Sequence, residues 1–298
     1  VTSLQMPQTA IRPPQPASPG ATPRGVLARL RRRRDARVGL AVLALTTIAI
    51  YLGPLLVPYD PQATDWARLL APPSLEHPLG TDQYGRDQLA RILDGGRRSV
   101  EAALLVLALS LAAGLAVGCL AGMLGGMVDV VAMRAVDITL ALPGLVLTLA
   151  LLGMLGPGFG NLLIALVLTT WPPYARLARA YVLAGRDRPD VLAARLAGAG
   201  RMRAATSHLL PGAVTRVVAV GALDVGQTIV AITGMSYLGL GVQPPAAEWG
   251  AMLSDSRTHM ADAPWLLLGP GAAIVLVILA VTLLGEAAAE AADPRRAR

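Results

Sequence analysis

SVEAALLVLALSLAAGLAVGCLAGMLGG, residues 99–126, holds one charge, Glu101, in an otherwise apolar and small-residue run. A bilayer core about 30 Å thick takes about 20 helical residues at 1.5 Å rise each, so this run is long enough to cross one. Gly114, Gly118, Gly122 and Gly126 recur in it at every fourth position, which lines up hydrogen-only side chains on one helix face and admits a second backbone. The helix is expected in the middle of a bundle. Runs of the same kind occupy 38–57, 128–155, 161–183, 213–237 and 264–285, giving six spans. Composition agrees: the chain is 54% apolar, 15% charged and 4% aromatic, outside the range of an ordinary soluble domain. The expected fold is all-α, a polytopic membrane protein with six transmembrane helices.

Charge orients these spans. Arg29, Arg31, Arg32, Arg33, Arg34 and Arg37 stand directly before the first run, and basic residues this close to a span mark its cytoplasmic end. That position against a membrane span also argues against a nucleic-acid patch. The first run is too long for a signal-peptide core and no small-residue cleavage site follows it. With six spans both termini are cytoplasmic, and the ending Asp293, Pro294, Arg295, Arg296, Arg298 carries the arginines expected there. In the loop 58–98, placed outside, the arginines are balanced by Asp60, Asp65, Glu76, Asp82, Asp87 and Asp94. In the segment 185–212, placed inside, Arg186, Arg188, Arg195, Arg201 and Arg203 face only Asp187 and Asp190. The chain thus divides into a disordered Pro-rich and Arg-rich tail (1–37), a first helix with its extracytoplasmic loop (38–98), a five-helix core (99–288) and a short cytoplasmic tail (289–298).

All 26 basic residues are arginine, which removes a lysine-bearing P-loop, a Schiff base and a pyridoxal site from this chain. Cys119 is alone and lies in an apolar run, where a small packing residue is its ordinary role. His77, His208 and His259 are scattered, with no HExxH pattern. A membrane-embedded enzyme is therefore disfavoured. A secondary transporter would show a repeat of broken helices around midplane ion ligands, and no convincing repeat is visible.

The inner segment reads Asp190, Val191, Leu192, Ala193, Ala194, Arg195, Leu196, Ala197, Gly198, Ala199, Gly200, Arg201, Met202, Arg203, and later His208, Leu209, Leu210, Pro211, Gly212. Small residues and arginines at helical spacing make a short helix across the membrane surface, broken near the glycines and closed before Pro211. A docking element and a plain interfacial helix share this pattern. Ala193, Ala194, Gly198, Leu210 and Pro211 resemble the EAA loop of ABC-importer permeases, here within 186–212. The resemblance implies a type I importer fold in which this loop is the coupling helix that sits in a groove of an ATPase subunit. Asp190, Ala193, Ala194, Arg195, Gly198, Arg201, Arg203 and Pro211 would form it. The family glutamate falls on Leu192, which leaves Asp190 as a candidate substitute.

His77, Pro78, Leu79, Gly80, Thr81, Asp82, then Gly85, Arg86, Asp87 are similar to the HPLGTDxxGRD signature of the dipeptide, oligopeptide and nickel permeases. Tyr237 to Gly241, Gln243, Pro244, Pro245 and Glu248 to Leu253 are similar to the same group's FLGLGxxPPxPxWGxML signature, and Asp293, Pro294, Arg295 match a family ending. By resemblance the chain is the second permease of such a pair. Gly80 and Gly85 permit tight backbone, and Thr81 and Asp82 can cap the helix carrying Arg86, Asp87 and Arg91. The outer group Thr81, Asp82, Gly85, Arg86, Asp87 and Trp249 is either a loop held shut by Asp–Arg pairs or a docking or gating surface for a binding protein. Trp249 also suits an interfacial anchor.

An ionisable group inside a span costs about 2.5–3.5 kcal/mol on insertion scales, so each needs a partner or water. Asp224, with Gln227 and Thr228 three and four residues on, makes a polar helix face that either lines a solute pathway or bonds helices together. Arg134 and Asp137 are expected to neutralise each other, and Pro143 to kink its helix. The family resemblance further implies a second permease, two ATPase subunits that hold ATP and Mg, an extracytoplasmic binding protein, surrounding lipid, and no cofactor, metal or catalytic group in this chain. The solute implied is a dipeptide or oligopeptide, with nickel or a glutathione-like compound as the alternative.

Overall fold

The computed structural model describes residues 34–292. The tail 1–33, with most of its arginine run, and the Asp293, Pro294, Arg295 ending lie outside the described residues. Every predicted apolar run is helical, and among the described residues there is no strand, only an isolated bridge between Thr81 and Asp87. The helices are α1 (Arg34–Leu56), α2 (Gln88–Leu124), α3 (Gly126–Ala141), α4 (Gly144–Leu155), α5 (Phe159–Thr170), α6 (Pro172–Gly185) and α7 (Pro189–Leu196). They continue as α8 (Arg201–His208), α9 (Leu210–Leu223), α10 (Val225–Tyr237), α11 (Trp249–Ser256) and α12 (Trp265–Ala292).

Of these, α1, α2 and α12 are each long and apolar enough to cross a membrane alone, and the count reaches five if α3–α4 and α9–α10 are each taken as one bent span. The predicted fourth run is occupied by α5 and α6, which meet at Trp171 in helical geometry. Two runs read as single helices are in fact broken. At Pro143 the turn is 95°, far more than a kink. Helical ψ is disfavoured for the residue before a proline, and here Leu142 lies extended at φ −100, ψ 142. At Asp224 the bend between α9 and α10 is 51°.

The 37-residue α2, roughly 55 Å long at 1.5 Å per residue, is the axis of the bundle. It begins at Gln88, well before the expected residue 99. Asp87 caps it, its Oδ1 accepting from the Ala90 amide at 2.7 Å. Gly95 and Gly96, which would be expected to weaken its first turns, instead let Glu248 and Trp249 approach: a Cβ at Gly96 would lie 2.6 Å from the Trp249 ring. Further along, Gly114, Gly118 and Gly122 face α6, where added Cβ atoms would run into Tyr174, the Ala175 carbonyl and Val182. The glycine stripe is thus a helix–helix seam, as its spacing predicts. It stops at Gly122, because Gly126 has open space around it and starts α3.

Burial is concentrated in two clusters. One joins Ile50, Ile92, Val106, Leu166, Ile232, Trp249 and Met252; the other joins Tyr174, Val182, Val191, Ala205, Leu209 and Val217. Outside them lies a belt of exposed apolar side chains, including Leu45, Ile48, Leu55, Val130, Ile138, Leu145 and Val275. Exposed apolar surface on this scale belongs against lipid or another chain.

Candidate functional sites: an ionic lock, a broken-helix cavity and an exposed short helix

The loop 57–87 carries the first site. Asp82 is buried, and its carboxylate accepts from the Tyr84 and Arg86 amides at 2.8 and 3.0 Å and from Arg86 Nε at 2.6 Å. Arg91 Nε stands 3.3 Å from the same carboxylate. Both guanidinium groups reach on to the Pro245 carbonyl, at 3.4 and 3.3 Å, and Arg91 also reaches that of Pro61 at 3.2 Å. Asp87, besides capping α2, pairs with His77 Nδ1 at 2.8 Å. Thr81 donates to the Arg68 carbonyl, and its own carbonyl accepts from Trp265 Nε1 at 3.3 Å. Gly80 and Gly85 both sit at φ 73, and a side chain at Gly85 would collide with the Asp65 backbone.

This lock reaches across the chain. Glu248 is fully buried, bonds Ser99 Oγ at 2.8 Å and caps α11 through the Ala251 amide at 3.0 Å. Trp249 is buried too, its indole donating to the Ile92 carbonyl at 2.9 Å. Two sequence expectations change here. Thr81 and Asp82 do not cap the following helix, because Asp87 does; and Trp249 is a core residue rather than an interfacial anchor. Thr81, Asp82, Arg86, Asp87 and Trp249 are held together inside the chain, so their side chains offer no docking face of their own. At the edge of the lock, burial pushes the Asp255 carboxyl above its ordinary value against the pull of Arg91 and Arg86.

The second site lies where α9 and α10 break. Asp224 stands at the break and accepts from the Tyr174 hydroxyl at 2.7 Å. Together with Gln227, Thr228, Thr169, Thr170 and Tyr174 it lines a cavity of about 330 Å³ whose other walls are apolar. The predicted polar face is therefore one wall of a cavity and also a point of interhelical bonding. Hydroxyl pairs hold α5 in place behind it: Ser110 with Thr170 at 2.6 Å, Thr148 with Thr169 at 3.1 Å. The expected Arg134–Asp137 pair does not form. Asp137 is bonded by Arg176 at 2.8 Å and Asp129 by Arg179, whose Nη2 reaches it at 2.6 Å, so both acids tie α3 to α6. A partner on an adjacent helix met the carboxylate more directly than one on the next turn.

The third site is α7 with the turn after it. Pro189 starts the helix and Asp190 stands in its first turn, where a carboxylate suits the helix dipole. Val191 is buried against Ala204, Ala205 and Leu209 and so anchors one face. On the other face Leu192 is 40% exposed, Leu196 is 90% exposed, and Ala193 and Arg195 are exposed with them. Ala194 packs against the anchor, while Gly198 turns the chain at φ 89 with nothing near it. The chain resumes in α8, which opens on Arg201 and exposes Arg203, and α9 begins on Leu210 with Pro211 next. Asp190 is bound on both oxygens by Arg188, at 2.8 and 3.1 Å. Desolvation raises its pKa, but the Arg188 pair outweighs it and holds the carboxyl below its ordinary value. As a replacement for the glutamate displaced by Leu192 it is thus already engaged within the chain.

Sequence reading missed several participants. Tyr174 contacts Asp224 across 50 positions, Arg176 bonds Asp137 across 39, and Arg179 bonds Asp129 across 50. None has a local pattern. The only available signal was the polar pair Thr169, Thr170 interrupting an apolar run.

The described residues thus form a helical bundle with a broken-helix cavity and an exposed short helix between apolar helices, and sequence comparison defines the class of protein to which this bundle belongs. The chain belongs to the family of binding-protein-dependent transport system inner membrane components, whose match covers residues 114–298. Residues 24–73 match the N-terminal transmembrane domain of oligopeptide transport permease C. It is a multi-pass membrane subunit of the type I ABC-importer permease fold. Among its relatives, the dipeptide transport system permease protein DppC of Escherichia coli (strain K12) is 42% identical over 271 residues, 89% of this chain and 90% of that protein. The nickel transport system permease protein NikC of the same organism is 37% identical over 265 residues, 89% of this chain and 96% of that one. The probable D,D-dipeptide transport system permease protein DdpC, also from strain K12, is 38% identical over 254 residues, 85% of each.

Proposed function

We propose that this chain and a second permease subunit together form the pathway by which dipeptides or oligopeptides enter the cell across the plasma membrane. Of two ATPase subunits, which hold the ATP and Mg, one docks on α7 from the cytoplasm, where both termini of the chain also lie. An extracytoplasmic binding protein delivers the solute to the opposite face. The observation that carries this reading is the exposed apolar face of α7, anchored by Val191 and released by Gly198, in a chain belonging to a family of transport components. Nickel import by the same architecture is the second reading, supported by the similarity to NikC.

Asp224 supplies a test within the pathway. Asp224→Asn keeps the size, removes the charge and weakens the bond from Tyr174. Uptake by the reconstituted complex is expected to fall about tenfold, the scale of one lost charge-assisted hydrogen bond. Uptake and solute preference at the parent level would reduce Asp224 to a structural tie between α6 and the α9–α10 break.

A further inference from the structure

The cavity at the α9–α10 break has a chemical bias. Its lining is apolar apart from the hydroxyls of Thr169, Thr170, Tyr174 and Thr228, the Gln227 amide and one ionisable acid, Asp224. Among the described residues no arginine lines it. On α6, Arg176 is bonded to Asp137 at 2.8 Å, and Arg179 is bonded to Asp129. One carboxylate oxygen accepts a hydrogen bond from the Tyr174 hydroxyl at 2.7 Å, and Asp224 itself lines the cavity. A formal negative charge set among apolar walls creates a potential that favours cations, and low-dielectric walls focus it.

We propose that this cavity is a subsite for a protonated amine, such as the free ammonium group at the start of a peptide, with Asp224 as counter-ion. Tyr174 positions the carboxylate, while Gln227 and the threonine hydroxyls are oxygen acceptors for the remaining N–H donors. An ammonium group is satisfied by a few oxygens and one counter-charge. A nickel ion prefers imidazole or thiolate alongside oxygen, and the donors here are oxygens. At about 330 Å³ the cavity is near the lower end of small-molecule sites, about 300–1,000 Å³. The inference rests on the reading that this cavity lies on the solute path.

Gln227, exposed and one turn from Asp224, is the reporter position. In the purified complex with a Cys119→Ala background, Gln227→Cys is treated with a trimethylammonium-ethyl and a sulfonato-ethyl methanethiosulfonate, each rate scaled to that with a free thiol. The cationic reagent is expected to react at least about tenfold faster, the difference that opposite unit charges one helical turn from a carboxylate show even at the dielectric of bulk water. Adding Asp224→Asn should erase that preference. A millimolar free-amine dipeptide should slow labelling and its N-acetylated analogue should not. Equal scaled rates with Asp224 present, a preference that survives Asp224→Asn, a cysteine that reacts with neither reagent, or protection by nickel ion but not by the dipeptide would each overturn the proposal. If the complex carries some other solute, the reagent preference stands and peptide uptake fails. If only the subsite is wrong, uptake stands and the preference is absent.

Discussion

Leu196→Asp is expected to reduce ATP-driven uptake by the assembled transporter at least tenfold while the chain folds as before. Leu196 is 90% exposed at the end of α7 and contributes almost nothing to packing within the chain. Burying a leucine in an interface stabilises it by about 1.5–3 kcal/mol, and a carboxylate in its place adds a desolvation penalty. Interface anchors of this kind cost about 2 kcal/mol or more when removed, a factor of about thirty in affinity. Thermal stability of the isolated subunit in detergent should stay within about 0.5 kcal/mol, as for other surface changes. The ATPase subunits should co-purify poorly with the variant. Unchanged uptake and co-purification would show that α7 is only an interfacial helix.

Asp82→Ala is expected to have the opposite profile, a large loss of stability and no direct effect on ATPase docking. The carboxylate is 3% exposed and balances Arg86 and Arg91, both buried. Removing one member of a buried ionic group leaves uncompensated charge and costs about 3–5 kcal/mol. The backbone amides of Tyr84 and Arg86 lose their acceptor as well. Against a total stability of about 5–15 kcal/mol, that is enough to deplete folded protein in the membrane. Arg97→Ala makes the comparison: its pair with Glu101 at 2.9 Å is exposed on both sides and should be worth at most about 1 kcal/mol. Melting of the purified subunit reads both; equal shifts would mean that the lock is not a structural centre.

The contrast between these sites follows from how sequence encodes them. Apolar runs long enough for a bilayer, the glycine stripe facing α6 and the broken short helix before Pro211 depend on spacing along one helix, and periodicity exposes spacing. The 95° turn at Pro143 was under-read because a proline in a bundle helix can be tolerated as a kink, and the extended Leu142 before it depends on where α3 and α4 each find packing. Asp137 illustrates the same limit: Arg134 is nearer in sequence, yet Arg176 on α6 takes the charge. The signature residues Asp82, Arg86 and Asp87 were found by motif, but their burial, and so their structural role, depends on segments far along the chain, such as the Pro245 carbonyl that Arg86 reaches. What was legible at the cavity was Asp224, Gln227 and Thr228 on one face; Tyr174, which aims the carboxylate, came only from the fold.

The most direct test of the whole account combines topology with docking. Leu75 is fully exposed in the 57–87 loop and Leu196 in α7, so cysteines at both positions are reachable, unlike one at the buried Asp82. In a Cys119→Ala background, a membrane-impermeant thiol reagent added to intact cells should label Leu75→Cys and spare Leu196→Cys. In inverted vesicles Leu196→Cys should label when the ATPase subunits have been stripped away and be protected when they are restored. Labelling of Leu196→Cys from outside intact cells, or equal labelling with and without the ATPases, would contradict the assignment of α7 as the coupling surface.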